Sequence, residues 1–394
     1  MSRTPTAGGA RHAPSAHAHA GVYLDGFATT AIAPEARTAM LDALDLPANP
    51  SSAHALGERA ARIVEAAKAN IAVLAGCSPS ELVMTSGATE ANNLAITGLS
   101  VYAPAGRRRV VVSAVEHRAV LEPAAALAAA GFEVVHAAVD GRGLIDLDRL
   151  PEAIGDDCWL VSVMAVNNET GVVQPVADVA RIAHARGALV HTDAAQALGK
   201  MPVDLAGWDV DYASLTGHKM HGPPGVGALY VAAGAPRPRP LLLGGGQQSG
   251  LRAGTEPTAL IAGFGAAAAA ALDRGPRDAA SREATLDTIL EILSEHQVRW
   301  ERLTGDAPTV SGGCAVVVDG IDADELCQRV QNDVYLSTSS ACSSGQITLS
   351  HVLRAMGVSP DRGRSTIRLM TASSTTMADA ERAGAALVRA IRFV

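Results

Sequence analysis

The chain has 394 residues, a formal net charge of −8, 18% charged residues and 3% aromatic ones. That length exceeds what one hydrophobic core usually organises, so two domains are expected. The negative balance, with no long Lys/Arg run, argues against a nucleic-acid surface, and the apolar segments fall well short of the roughly 18 residues that cross a bilayer.

Residues 1–20, rich in Ala, His, Pro, Ser and Gly, lack the apolar core of an export signal and predict a disordered tail. Leu56 to Leu74 reads as a long amphipathic helix ending near Gly76. Seven short apolar runs then predict strands: Glu81–Thr85, Arg109–Ala114, Glu133–Ala137, Leu160–Ala165, Ala188–Asp193, Tyr212–Leu215 and Gly227–Val231. Helical spacing lies between them, as in Val120–Ala130 closed by Gly131 and Val176–Ala185 closed by Gly187. This alternation predicts an α/β fold, with a mainly parallel seven-stranded sheet covered on both faces. The pattern changes after Gly244–Gly246. Ala266–Leu272 and Ala284–Glu301 predict helices, Ala315–Val318 and Tyr335–Ser337 strands, and Thr376–Arg392 a closing helix. A domain change is expected near residue 266.

The five cysteines, Cys77, Cys158, Cys314, Cys327 and Cys342, show no CxxC pair, so no metal site is expected. Their scatter suits a reducing cytoplasm, with four of them serving as small core residues.

Parallel α/β sheets bind ligands at the carboxyl ends of their strands, and four polar segments fall there. Thr85-Ser86-Gly87-Ala88-Thr89-Glu90 runs from a strand end through a glycine turn into a helix start, which suits a phosphate. His191-Thr192-Asp193-Ala194-Ala195-Gln196 places a carboxylate where it can hold a protonated ring nitrogen. Ser214-Leu215-Thr216-Gly217-His218-Lys219 sends a lysine into a Gly/Pro-rich loop, where desolvation favours Schiff-base formation. Asn167-Asn168-Glu169 offers an amide for a phenolic oxygen or a carboxylate. Taken singly, each also reads as an ordinary cap, turn or surface lysine. Together and in this order they describe a pyridoxal 5′-phosphate (PLP) site.

With those segments, Tyr23-Leu24-Asp25, Ala28-Thr29-Thr30 and Asn49-Pro50-Ser51-Ser52, the chain resembles the cysteine desulfurases, class V aminotransferase-like PLP enzymes of fold-type I. The likeness covers nearly everything except the tail. It implies a large PLP-binding domain over 34–266, and a smaller α+β domain from 21–33 and 267–394 that carries a catalytic cysteine loop. Lys219 would hold PLP covalently, Asp193 would pair with the pyridine nitrogen, Gln196 with the ring oxygen, and His117 would stack on the ring and act as acid or base. Ala88, Thr89, Thr216 and His218 would bind the phosphate. A Thr255 from a second copy would complete the cradle, making a homodimer. Asn168 and Arg368 would hold the substrate carboxylate. Cys342, in Ser339-Ser340-Ala341-Cys342-Ser343-Ser344-Gly345, would take sulfur from L-cysteine as a persulfide, leaving L-alanine, and pass it to an acceptor protein. The small polar residues around it predict an exposed thiol on a mobile loop, and the loop length resembles the longer-loop group. The location expected is cytoplasmic, with no direct nucleic-acid or membrane partner.

Three departures from the family pattern stand out. Leu369-Met370-Thr371-Ala372-Ser373 lacks a second arginine, Gly26-Phe27 replaces a commoner pair, and Gln247-Gln248 replaces Gln-Glu. Alternative readings are a selenocysteine lyase or aminotransferase of the same fold, or a catalytically silent scaffold that binds a sulfur acceptor.

Overall fold

The computed structural model describes residues 21–338, 340–343 and 346–392, with 340–343 and 346–348 described as backbone only. The expected tail at 1–20 lies outside the described residues. Strand β1 (Val22–Tyr23) leads into helices α1 (Pro34–Leu44) and α2 (Ala55–Ala75). His54 caps α2 by accepting the Gly57 amide, and Gly76 ends it in the left-handed conformation that a side chain would disfavour.

The next stretch alternates β2 (Leu82–Thr85), α3 (Ala88–Ser100), β3 (Arg109–Ser113), α4 (Arg118–Ala128), β4 (Glu133–Ala137), α5 (Leu150–Ile154), β5 (Cys158–Ser162), α6 (Val176–Ala185), β6 (Leu189–Asp193), β7 (Tyr212–Thr216) and β8 (Gly227–Val231). All seven strands join one sheet in the order β2-β8-β7-β6-β5-β3-β4. It is parallel except at β8, which runs antiparallel to both neighbours. Successive side chains enter different cores: Val111 packs into one, Val110 and Val112 into the other. That two-sided burial is why these strands read as unbroken apolar runs.

Beyond the sheet, α7 (Thr258–Glu295) is one helix of 38 residues where two were expected. It contains Gly275-Pro276 and passes straight through residue 266. A proline removes one helical hydrogen bond, but Pro276 lies on an exposed stretch where water can serve the freed carbonyl. Packing against α1, α2 and α11 (Met377–Arg392) holds the helix together on both sides. The helix expected to reach Glu301 stops at Glu295, where Gln297 turns the chain at φ 61° into β9 (Trp300–Arg302).

The remaining elements are β10 (Gly313–Val318), α8 (Ala323–Val330), β11 (Val334–Tyr335), β12 (Ser337–Thr338), β13 (Ser340–Ser343), β14 (Gln346–Leu349), α9 (His351–Ala355), α10 (Pro360–Arg364) and β15 (Thr366–Met370). An antiparallel sheet β12-β15-β10-β9 packs against α7 and α11 around a separate core that includes Leu286, Ile289, Val316 and Leu387. The segment expected to be a loop around Cys342 has strand backbone instead: β13 pairs antiparallel with β14, Cys342 opposite Ile347. Polar strand residues can satisfy the ladder with backbone groups alone, so small side chains do not prevent pairing. The Cys342 side chain, and with it the exposure of the thiol, lies outside the described residues.

Candidate functional site

The ends of β2, β6 and β7 open onto one cavity of about 410 Å³. Ala88, Thr89, Thr216 and His218 are among its lining residues, together with His117, Asn168, Asp193, Gln196 and Lys219. Strand order brings together residues that the sequence spreads over more than a hundred positions.

At the β2 end, α3 begins with Gly87 as N-cap and no capping side chain, leaving first-turn N–H groups free to meet an anion. The turn is tight against its neighbour: a Cβ on Gly227 would lie 2.6 Å from the Gly87 Cα and 2.4 Å from the Leu215 carbonyl oxygen. Glu90, in the first turn, accepts the Ser86 amide at 2.8 Å and pairs with Arg252 at 3.0 Å. Burial alone would raise the Glu90 carboxyl, but these bonds win and hold it below the usual carboxylate range.

Asp193 closes β6 and is buried. Its Oδ1 accepts the Ala195 amide at 2.9 Å, and its Oδ2 accepts Nδ2 of Asn92 at 2.7 Å. Asn92 was not anticipated from the sequence. The available signal was a fully buried polar position on the apolar face of α3.

Lys219 is half-buried, and desolvation draws its amine below the ordinary lysine range. Arg368 pushes the same way, while Asp193 and Asp25 oppose. His117 caps α4, its Nδ1 accepting the Ala119 amide at 3.0 Å, and its accessible surface opens into the cavity. Desolvation and the neighbouring Lys219, His351 and Arg118 lower its pKa against the pull of Asp193. The ring is therefore neutral near pH 7, and with Nδ1 accepting, its proton sits on Nε2. Desolvation, reinforced by Lys219 and Lys200, takes the His218 ring down to about 4. Its Nδ1 lies 3.1 Å from the Thr29 hydroxyl.

Arg368 and Thr255 are not among the cavity-lining residues. Arg368 is held by Asp25 at 2.8 Å and donates to the Asn168 carbonyl at 3.1 Å, so part of the fork expected to take a substrate carboxylate already has a carboxylate partner. Its Nε is buried with no hydrogen-bond partner among the described residues. Thr255 is exposed. Gln196 faces the cavity with both ends of its amide engaged, Nε2 to the Phe27 carbonyl and Oε1 to Lys200. Sequence reasoning missed Lys200, although it lies only four residues beyond Gln196. It also missed Glu116, which is fully buried and held well above the usual carboxylate range by burial and by Asp193.

The sequence model of the aminotransferase class-V family matches residues 22–382. The chain belongs to this family. Among its relatives, the mitochondrial cysteine desulfurase of Drosophila melanogaster is 40% identical over 367 residues, covering 91% of this chain and 78% of that protein. Among solved structures, a NifS-like protein superposes with a TM-score of 0.88 at 33% identity, covering 95% of this chain and all of the other. SspA in complex with cysteine superposes with a TM-score of 0.78 at 35% identity, covering 89% of this chain and 99% of the other. The architecture is that of the fold-type I enzymes in this class-V group.

One departure from the family pattern has a local explanation, and a second has a local contact. Gln248 Oε1 accepts the Met84 amide at 2.8 Å while its Nε2 donates to Glu256. A glutamate there could accept but not donate, and would face Glu256 with a like charge. Ser373, where the family carries its second arginine, lies 3.2 Å from His221 Nε2.

Proposed function

We propose that this chain is a PLP-dependent cysteine desulfurase that converts L-cysteine to L-alanine and carries the sulfur as a persulfide on Cys342. The observation that carries this reading is a desolvated lysine and a strand-end aspartate in one cavity, beside an uncapped helix N-terminus. Those features fit PLP. The α3 N-terminus with Thr89 and Thr216 suits its phosphate, Asp193 its ring nitrogen, Gln196 its phenolic oxygen, and Lys219 its aldehyde. Bound there, PLP supplies an electron-poor ring that stabilises negative charge on an attached amino acid.

The residues of the chain do the rest. Asn92 keeps Asp193 oriented by a buried hydrogen bond to Oδ2. A Lys219 amine of lowered basicity accepts the substrate α-proton. Arg368 and Asn168 orient the substrate carboxylate, with Asp25 fixing the guanidinium. His117, neutral with its proton on Nε2, gives that proton toward the leaving side of the substrate. The Cys342 thiolate attacks the substrate sulfur. An S–S bond forms, the Cβ–S bond breaks with its electron pair left on carbon, and protonation there gives alanine. The sum is L-cysteine plus one thiol giving L-alanine plus one persulfide, with no outside oxidant.

The four-stranded sheet and its helices would form the smaller domain carrying the cysteine hairpin, with α7 shared between the two domains. The partners are L-cysteine, a protein that accepts the sulfur, and a second copy of this chain lending its Thr255. Supporting the dimer, Thr255 is exposed, and Leu241, Leu242 and Leu243 nearby expose 42%, 46% and 78% of their surface. Among the described residues no helix is long and apolar enough to cross a membrane. A cytoplasmic location fits the reduced cysteines.

The test is incubation with PLP and L-cysteine, alanine quantified, and intact mass followed by peptide mapping. One added sulfur on Cys342, absent from Cys342→Ala, is the expected result. Undiminished alanine release by Cys342→Ala, with no sulfur on the protein, would remove the persulfide route.

A further inference from the structure

Gln196 and Lys200 lie four residues apart just after β6, and both are buried. Lys200 Nζ donates to Gln196 Oε1 at 2.5 Å, and it lies 3.4 Å from the Gly26 carbonyl oxygen. Gln196 Nε2 donates to the Phe27 carbonyl at 2.8 Å. The Lys200 ammonium also sits over the Phe27 ring, 5.6 Å from its centroid. These contacts close a small ring of bonds, Lys200–Gln196–Phe27 and back through Gly26.

A glutamine amide has two interchangeable-looking ends, one accepting and one donating, and only its partners decide which end faces which way. Here the carbonyl end is claimed by a group that can only donate, and one amide N–H is claimed by a group that can only accept. The second N–H of Nε2 is the polar group left for the cavity. We propose that Lys200 is a positioning residue that sets the polarity of Gln196, so that this wall of the site presents a donor and selects a ligand carrying an anionic or strongly accepting oxygen.

The proposal rests on the PLP reading, in which that oxygen is the phenolic oxygen of the cofactor. Lys200 makes an unusual buried cation: desolvation, with Lys219, Arg282 and Arg368 around it, holds it well below the ordinary lysine range. Its nearest anchors are neutral carbonyls, and Arg282 donates to its backbone oxygen at 2.9 Å. A charge in such surroundings is costly, and the hydrogen bonds to the Gln196 and Gly26 carbonyl oxygens offset part of that cost.

The experiment uses the PLP-loaded full chain and follows the visible absorption band against pH. A donor to the phenolic oxygen stabilises the deprotonated form, so wild type titrates low. Lys200→Met removes the contact on the carbonyl end and leaves the amide held at Phe27 alone, and the midpoint rises by about one unit or more, the size of one hydrogen bond to a charged group. Loss of a nearby positive charge would shift the midpoint the same way, so Gln196→Ala and the double variant decide between them. If Lys200 acts through Gln196, the double variant matches Gln196→Ala alone. If the Lys200→Met shift persists undiminished in the Gln196→Ala background, the proposal is overturned. Gln196→Glu, which keeps the lysine contact but turns an acceptor to the cavity, also raises the midpoint, and it carries the test should Lys200→Met fail to fold. An unchanged midpoint in Gln196→Glu overturns the proposal. Absence of any visible band in wild type would instead sink the PLP reading.

Discussion

Asn92 donates its amide to Asp193 Oδ2 at 2.7 Å across 101 residues of sequence, both groups buried in the wall of the cavity. A carboxylate at a strand end is unremarkable as a cap; the brace from a buried side chain is what the proposed contact to a ring nitrogen requires. Asn92→Ala removes a charge-assisted bond worth about 1.5–3 kcal/mol. PLP affinity of the apoprotein should fall at least tenfold in a spectral titration, with Asp193→Ala falling further. Equal affinities for wild type and Asn92→Ala would show that the brace is irrelevant to the ligand.

Arg252 neutralises Glu90 at the helix end proposed for the phosphate. Arg252→Ala leaves a carboxylate facing an anion a few ångströms away, which costs roughly 1–3 kcal/mol of binding. The expected loss is about tenfold or more in PLP affinity. Glu90→Gln in the Arg252→Ala background should recover most of it. No recovery would assign the arginine a role other than charge cancellation.

His184 ties the far end of the sheet together, bonding Asp211 at 2.9 Å and Asp209 at 3.2 Å. Burial works to lower its pKa, but the two carboxylates outweigh it and the folded pKa is raised. The stabilisation is therefore complete below the unfolded value near 6.5 and disappears as pH rises through the folded pKa. The ring is partly exposed, so screening limits the effect to roughly 0.5 kcal/mol. Denaturant midpoints of wild type and His184→Gln should differ at pH 5.5 by more than at pH 9. A gap that grows with pH would reverse the sign of the linkage.

Cys77, Cys158, Cys314 and Cys327 are each pushed by burial up to about 12. At pH 8 only about one in ten thousand of such thiols is thiolate, the reactive form. Brief iodoacetamide treatment of the native protein should leave all four unmodified and label Cys342 alone, read by peptide mass. Labelling of any of the four at a comparable rate would contradict their raised pKa values.

Much of this site was legible before folding was considered, because strand ends announce themselves. An apolar run followed by Asp193, or by Thr216-Gly217-His218-Lys219, marks the end of a strand and the polar groups it delivers to the cavity. The seven strands emerged from the same pattern, with ends displaced by at most three residues. Helix α7 was misjudged because Gly275-Pro276 breaks a helix in isolation, and only its neighbours keep it whole. The cysteine hairpin was misjudged because small polar residues carry little β signal, while backbone pairing needs none.

The sequence by itself determined which residues are chemically able to act and which segments would be buried on both faces, since periodicity and residue type are local properties. Only the tertiary structure decided who holds whom: Asn92 on Asp193, Asp25 on Arg368, and Gly26 and Phe27 closing on Lys200 and Gln196. Most of those partners are separated by a hundred residues or more, and their meeting depends on the order of strands in the sheet. Hydrogen-bond polarity and desolvation arise from that meeting, so no local pattern encodes them.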